Sequence, residues 1–169
     1  MSVARAEADE IDVEAALLEL YPALTRRLTM VLRDADEAQD VAQATFTRAL
    51  EQRDRFRGGD LRAWLYTIGL RLAFNELRRQ RRTVASGAGT GAGAADPPGE
   101  PAWAMDTDPD LWAALAELEA PQRAALLLSA LEGYTHEEIG RMLGVRPGTV
   151  SSWLSRTKDR LRMVLGDVR

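Results

Sequence analysis

Within twelve residues the chain sets three small hydroxyls, Ser151, Ser152 and Ser155, among the basic residues Arg156, Lys158 and Arg162. Hydroxyls hydrogen-bond base edges or phosphates, and Arg and Lys neutralise phosphates. The chemistry open to this stretch is therefore recognition of a nucleic-acid duplex. A helical hairpin whose charged face is merely solvated would use the same residue types, so they fit both readings. Catalysis has no comparable candidates. The one His, His136, falls at a predicted helix start, and the chain has no Cys nucleophile and no Gly-rich phosphate loop after a strand. No metal-spaced cluster stands out either. An enzyme is not expected, and no catalytic residue, metal or cofactor is assigned.

The elements that must hold this stretch are legible in "GYTHEEIGRMLGVRPGTVSSWLSRTKDRLR", Gly133 to Arg162. Thr135 followed by Glu138 fits a capping box, in which the hydroxyl accepts from an early backbone N–H and the carboxylate reaches back. Ile139, Met142 and Leu143 give the helix an apolar stripe. Gly144 is placed to end it in the left-handed conformation. Pro147 suits the first turn of a second helix, where a missing N–H costs nothing. Val150, Leu154, Leu161 and Leu165 face that helix inward and leave the hydroxyl and basic residues on other faces. This is a helix-turn-helix pattern, whose second helix enters the major groove by its N-terminal part.

Composition bounds the rest. A chain of 169 residues holds one medium domain or two small ones. Its 46% apolar and 28% charged content describes a soluble globular protein. The absence of Cys suits the cytosol. No apolar run approaches the ~18–20 residues that cross a bilayer, so membrane insertion is not expected. The opening "MSVARAEADEIDVEAALLEL" is acidic and lacks a signal-peptide h-region, and a cytoplasmic location is expected. A net charge of −4 argues against coating nucleic acid by charge alone, so DNA binding needs local patches or a partner that brings the chain to DNA.

The chain divides at "TVASGAGTGAGAADPPGEPAWAMDTD", residues 83–108, which is rich in Gly, Ala and Pro without apolar period and reads as a flexible linker. Trp103 within it either docks on something or is exposed. Residues 1–82 read as all-helical. Leu17, Leu20, Tyr21, Leu24, Leu28, Val31 and Leu32 form one stripe, with Pro22 expected to break or restart the helix. Asp36 opens the next helix, where Asp36 and Glu37 suit its positive end. Ala38, Val41, Thr45, Phe46, Ala49 and Leu50 form its inner face, and Asp40, Gln43, Thr47 and Glu51 lie outside. After the loop "RFRGGD", a long helix carries Leu61, Trp64, Leu65, Ile68, Leu72 and Leu77 inward and ends in "RRQRR". Residues 109–169 add "DLWAALAEL", "PQRAALLLSALEG" and the helix-turn-helix. Strand signals are absent, so the fold expected is all-α: two small helical domains joined by a tether.

Three stretches, "DADEAQDVAQATFTRAL", "FRGGDLRAWLYTIGLRLAFNELRRQRR" and "LAELEAPQRAALLLSALEGYTHEEIGRMLGVRPGTVSSWLSRTKDRLR", resemble bacterial sigma-70 family factors of the extracytoplasmic function (ECF) group. The first two resemble region 2 of that family and the third its region 4, with matching order and linker position. The resemblance implies a transcription initiation factor that binds core RNA polymerase, through the β′ clamp helices and the β flap, and promoter DNA. It also implies an anti-sigma factor as a partner. The helix beginning at Asp36 would dock on the clamp helices, with Asp40, Gln43 and Phe46 matching a D-x-x-Q-x-x-F pattern; carboxylate and amide groups there could meet Arg on a partner, while Phe46 packs in the core. The long helix would melt and read the −10 element. Arg71, Asn75, Arg78 and Arg79, with Arg81 and Arg82, would supply its polar surface, and Trp64 or Tyr66 could stack an unstacked base, although Trp64 also lies on the apolar stripe. The helix from 149 to 158 would read the −35 element, with Thr149 near the backbone at its N-terminus, Ser151, Ser152 and Ser155 near base edges, and Arg156 and Lys158 on phosphates.

Two departures from the family pattern bear on function. Many members carry Arg-Asn at the positions of Leu70 and Arg71 and Asp at that of Asn75, and a capping Ser often stands where this chain has Arg146. The first departure motivates an alternative, a sigma-like decoy that binds an anti-sigma factor without opening promoters. A stand-alone repressor would leave the block from Asp36 to Arg82 unexplained.

Overall fold

The computed structural model describes residues 13–85 and 109–166. Every regular element among them is helical: α1 (Val13–Leu32), α2 (Ala35–Glu51), a single 3-10 turn (Arg53–Arg55), α3 (Leu61–Ala85), α4 (Pro109–Ala116), α5 (Ala120–Ala130), α6 (His136–Leu143) and α7 (Pro147–Leu165). Trp103 and most of the span read as a linker lie outside the described residues; α3 runs three residues into that span.

In the first unit, α1, α2 and α3 pack on one another around Leu17, Leu24, Leu28, Val31, Ala38, Ala42, Ala49 and Leu65. Pro22 does not break α1, which continues through it. Its position is exposed, so the carbonyl that loses an intrahelical partner there has water within reach. The start of α2 is also corrected: the cap is Asp34, whose Oδ1 accepts from the Glu37 N–H at 2.8 Å, and the helix begins at Ala35 rather than Asp36. Asp60 does the same for α3, accepting from the Ala63 N–H at 3.0 Å.

In the second unit, α7 packs on α4, α5 and α6. The expected capping box is present: Thr135 Oγ1 accepts from the Glu138 N–H, and the Thr135 N–H donates to Glu138 Oε2 at 2.8 Å. Gly144 ends α6 at φ 70° and ψ 33°, and the Val145 N–H closes the turn onto the Gly140 carbonyl at 2.9 Å. Arg146 caps α7 without any side-chain bond, and Pro147 follows it. Close approach holds the corner as much as conformation does. A Cβ on Gly140 would lie 2.7 Å from the Val145 carbonyl oxygen, which is backbone and cannot turn aside.

The two units share a single apolar core. Leu24, Leu28 and Val31 of α1 and Leu70 of α3 meet Ala124, Leu127 and Leu128 of α5 around a void of only ~10 Å³. Arg123 of α5 reaches across this boundary. Its side chain is buried, and it donates to the Val31 carbonyl at the end of α1 (Nη2 2.6 Å, Nε 3.0 Å), to the Leu115 carbonyl at 3.3 Å and to that of Leu118. Burial, and then the charge of Arg33, pull the Arg123 pKa down to about 10, which leaves the guanidinium charged at neutral pH. Arg33 itself follows α1 in the left-handed region, at φ 63°.

Three stability outcomes follow. Arg123→Leu leaves buried carbonyls without donors and is expected to lower the unfolding free energy by about 2–4 kcal/mol, read by urea denaturation. Gly140→Ala is expected to cost about 1–3 kcal/mol through overpacking. Gly148→Ala, where a Cβ meets nothing within 4 Å, should stay within about 0.5 kcal/mol of the parent in the same assay.

Candidate nucleic-acid interface

Helix α7 presents two unlike faces. Val150, Leu154 and Thr157 are buried, while Ser151, Ser152, Ser155, Arg156 and Lys158 are exposed and Thr149 is half-buried. At about 100° per residue, Ser152 and Ser155 lie near the middle of the open face and Arg156 and Lys158 on its opposite flanks. Small hydroxyls between two cations suit a helix lying in a groove, with phosphates on either side. The Ser152 hydroxyl donates back to the Gly148 carbonyl at 3.0 Å, which leaves its lone pairs as acceptors.

Asp159 was not foreseen in the sequence reading. It stands on the same open face and accepts from Arg162 Nη1 at 3.3 Å. The i,i+3 spacing of opposite charges was the available signal. Arg160 pairs with Glu117, tying α7 to the end of α4.

Helix α3 is two-faced in the same way. Leu65, Tyr66, Gly69, Leu70 and Ala73 face the interior. Arg71, Asn75 and Arg78 are exposed and, spaced by four and three residues, form one stripe on the opposite side. Arg79 sits at the edge of that stripe and turns back to a bidentate pair with Glu76, at 2.5 and 2.9 Å. That pair lowers the Glu76 carboxyl below its ordinary value.

Two expectations for α3 are corrected. Tyr66 cannot stack a base, because it is 2% exposed and its hydroxyl donates to Glu132 Oε1 at 3.1 Å. Burial, then the Glu132 charge, push its pKa up to about 12. Leu70 belongs to the core shared with α5, so its difference from an Arg does not alter the polar stripe. Trp64 is half-buried against Phe56, with ring centroids 5.5 Å apart.

On α2, Asp36, Asp40 and Gln43 are exposed together, opposite the buried Ala38, Val41, Ala42, Thr45 and Ala49. Phe46 is half-buried, edge-on to Tyr21 with centroids 5.8 Å apart. Asp40, Gln43, Thr47 and Leu72 line an open groove between α2 and α3.

Glu132 is the buried polar centre that sequence patterning did not single out. It follows α5, and its side chain is 2% exposed. Its oxygens accept from Arg27 Nε at 2.7 Å, Arg62 Nη1 at 2.9 Å and the Tyr66 hydroxyl. Burial would raise its pKa, but the hydrogen bonds from Arg27 and Arg62 outweigh burial and hold it below the ordinary glutamate value. Nearby, the Tyr134 hydroxyl donates to Asp60 Oδ2 at 2.9 Å.

Among the described residues no helix is long and apolar enough to cross a membrane. The sigma-70 region 2 model matches residues 17–83, and the sigma-70 region 4 model matches residues 109–161. The chain is 34% identical over 148 residues to the RNA polymerase sigma factor CarQ of Myxococcus xanthus, covering 83% of this chain and 82% of that one. It is 32% identical over 151 residues to the ECF RNA polymerase sigma factor EcfG of Rhodopseudomonas palustris, covering 88% and 82%. Among solved structures, the sigma factor RpoE from Bartonella quintana, crystallised with the anti-sigma factor NepR, superposes with a TM-score of 0.75 at 30% identity, over 94% of this chain and 99% of that one. The decoy reading leaned on Leu70, which lies in the core, and on Arg71, which remains on the exposed stripe. Both region models and relatives matched over about four-fifths of their length agree, and the protein belongs to the ECF group of sigma-70 factors, transcription initiation factors that bind core RNA polymerase and direct it to promoters.

Proposed function

We propose a division of labour among the exposed strips. Residues 1–82 bind core polymerase and the −10 element, residues 109–169 bind the −35 element, and residues 83–108 join them. Asp36, Asp40 and Gln43 meet the β′ clamp helices. Arg71, Asn75, Arg78 and Arg79 contact the opened −10 region, Arg79 by exchanging Glu76 for a phosphate. Ser151, Ser152 and Ser155 approach −35 base edges, Arg156 and Lys158 take phosphates, and Thr149 lies by the backbone at the helix N-terminus. The observation that carries this reading is shared by α2, α3 and α7: each strip lies opposite the buried face of its own helix. The β flap and an anti-sigma factor complete the partners, the latter supported by the RpoE–NepR complex. All of these are cytoplasmic encounters. A net-acidic chain binds promoters weakly alone, and polymerase supplies affinity by tethering both modules.

Two measurements test the assignments. Asp40→Ala with Gln43→Ala is expected to weaken capture of core polymerase at unchanged helicity; full capture by the double variant would remove α2 from the interface. For α7, holoenzyme binding is read on a library of randomised −35 elements. Lys158→Ala should weaken all sequences about equally and reduce the salt slope by about one. Ser152→Ala should cost about 1–3 kcal/mol and relax preference at one position. If neither changes affinity or preference, α7 is not the reader.

A further inference from the structure

Arg79 stands on the border of two surfaces. At about 100° per residue it lies ~40° around α3 from Asn75, on the exposed stripe, and ~60° from Glu76 on its other side. Glu76, with Leu72 and Gln80 at four-residue intervals, lines an open groove of about 550 Å³ between α2 and α3, and Arg79 lines it too. The Arg79 guanidinium is turned onto both oxygens of Glu76. A phosphate approaching the stripe therefore meets the cations of Arg71 and Arg78 in its middle and a neutral pair at its edge.

The groove itself is rich in anion. Asp34, Asp36, Glu37, Asp40 and Glu76 line it, against the guanidinium of Arg79. Glu37 is held by a neutral amide: Gln80 Nε2 donates to its Oε1 at 2.8 Å and reaches Glu76 Oε1 at 3.4 Å. Burial, then the charge of Asp34, raise the Glu37 carboxyl above its ordinary value, as expected where carboxylates outnumber cations. Asp40, Ala44 and Leu72 also line the groove beside Gln43, so the acidic groove continues directly from the α2 surface assigned to polymerase. A Lys or Arg side chain presented there attracts Glu37 and Glu76 and repels Arg79.

We propose that Glu76 is a positioning residue that withholds Arg79 from DNA in the free chain, and that a cationic side chain of core polymerase, entering the groove between α2 and α3, takes over Glu76 and releases Arg79 to the opened −10 strand. The inference rests on the assignment of α2 to polymerase and of α3 to the −10 element. The coupling is reciprocal. DNA that holds Arg79 leaves Glu76 to polymerase, so each ligand strengthens the binding of the other.

The test is the salt dependence of binding to a short single-stranded DNA of randomised sequence, for the free full-length chain and for the chain saturated with core polymerase. Each phosphate neutralised on a single strand adds about 0.7 to the slope of log K against log salt. Glu76→Gln keeps the shape of the side chain without its charge. It should steepen the slope of the free chain by about 0.7, and Arg79→Ala placed on top should remove that gain. In the holoenzyme Arg79→Ala should lower the slope by about 0.7, and Glu76→Gln should add nothing, because the pair is already parted. Any binding by core polymerase itself is common to all variants and cancels in these differences. Glu76→Gln should also weaken capture of core polymerase about tenfold at unchanged helicity. A free-chain slope that Glu76→Gln leaves as it was overturns the proposal. So does a holoenzyme slope that it steepens equally, and so does undiminished capture of polymerase. If Arg79→Ala leaves the holoenzyme slope unchanged, the −10 assignment of Arg79 fails and the release with it. If that slope falls but the free-chain gain is missing, the assignment stands and the release alone fails.

Discussion

The burial of the Glu132 carboxylate constrains how the two helical units face each other. An apolar patch such as Leu70 against Leu127 tolerates some sliding, because dispersion and the hydrophobic effect have little direction. A carboxylate at 2% exposure does not, since it must keep its donors. Two guanidinium groups and a phenol approach it from two helices, and their geometry fixes both the rotation and the register of α5 against α1 and α3. Arg123 works to the same end from the opposite charge, with its planar fork spread over carbonyls at the ends of α1 and α4.

That arrangement leaves the exposed polar strips clear of the boundary between the units. On α3 the residues that dock the second unit, Tyr66 and Leu70, lie on the side away from Arg71, Asn75 and Arg78. On α7 the residues that hold the bend, Val150 and Leu154, lie away from Ser152 and Ser155. Each helix thus keeps its packing residues and its exposed polar residues on separate faces. Arg79, at the edge of the stripe, is instead paired with Glu76 of its own helix.

Much of this was legible in the sequence, and the limits of legibility follow from the range of the interactions. The capping box of Thr135 and Glu138, the left-handed Gly144 and the two faces of α2 depend on residues within one or two turns, and the pattern displays them. The helix-turn-helix and the exposed hydroxyl face were read correctly for the same reason. The sequence reading of Pro22 as a break underrated tertiary packing, which carries α1 through it. Reading Asp36 as the helix start overlooked that Asp34 has the better reach for a cap. Tyr66 and Leu70 were misjudged because periodicity marks a buried side without saying which partner buries it. Their partners, Glu132 and α5, lie more than fifty residues away.

The Arg123 contact also spans a long stretch of chain, because its acceptor Val31 precedes it by 92 residues. During synthesis the three helices of the first unit are complete before any residue of α5 exists. At about 5–20 residues per second, the interval from Ala85 to Glu132 lasts on the order of 2–10 s. For that time the end of α1 has no Arg123, and Arg27, Arg62 and Tyr66 have no carboxylate to meet. The nascent first unit therefore has to be kept folded by its own three-helix core, and its mating face stays open to whatever reaches it before the second half of the same polypeptide arrives.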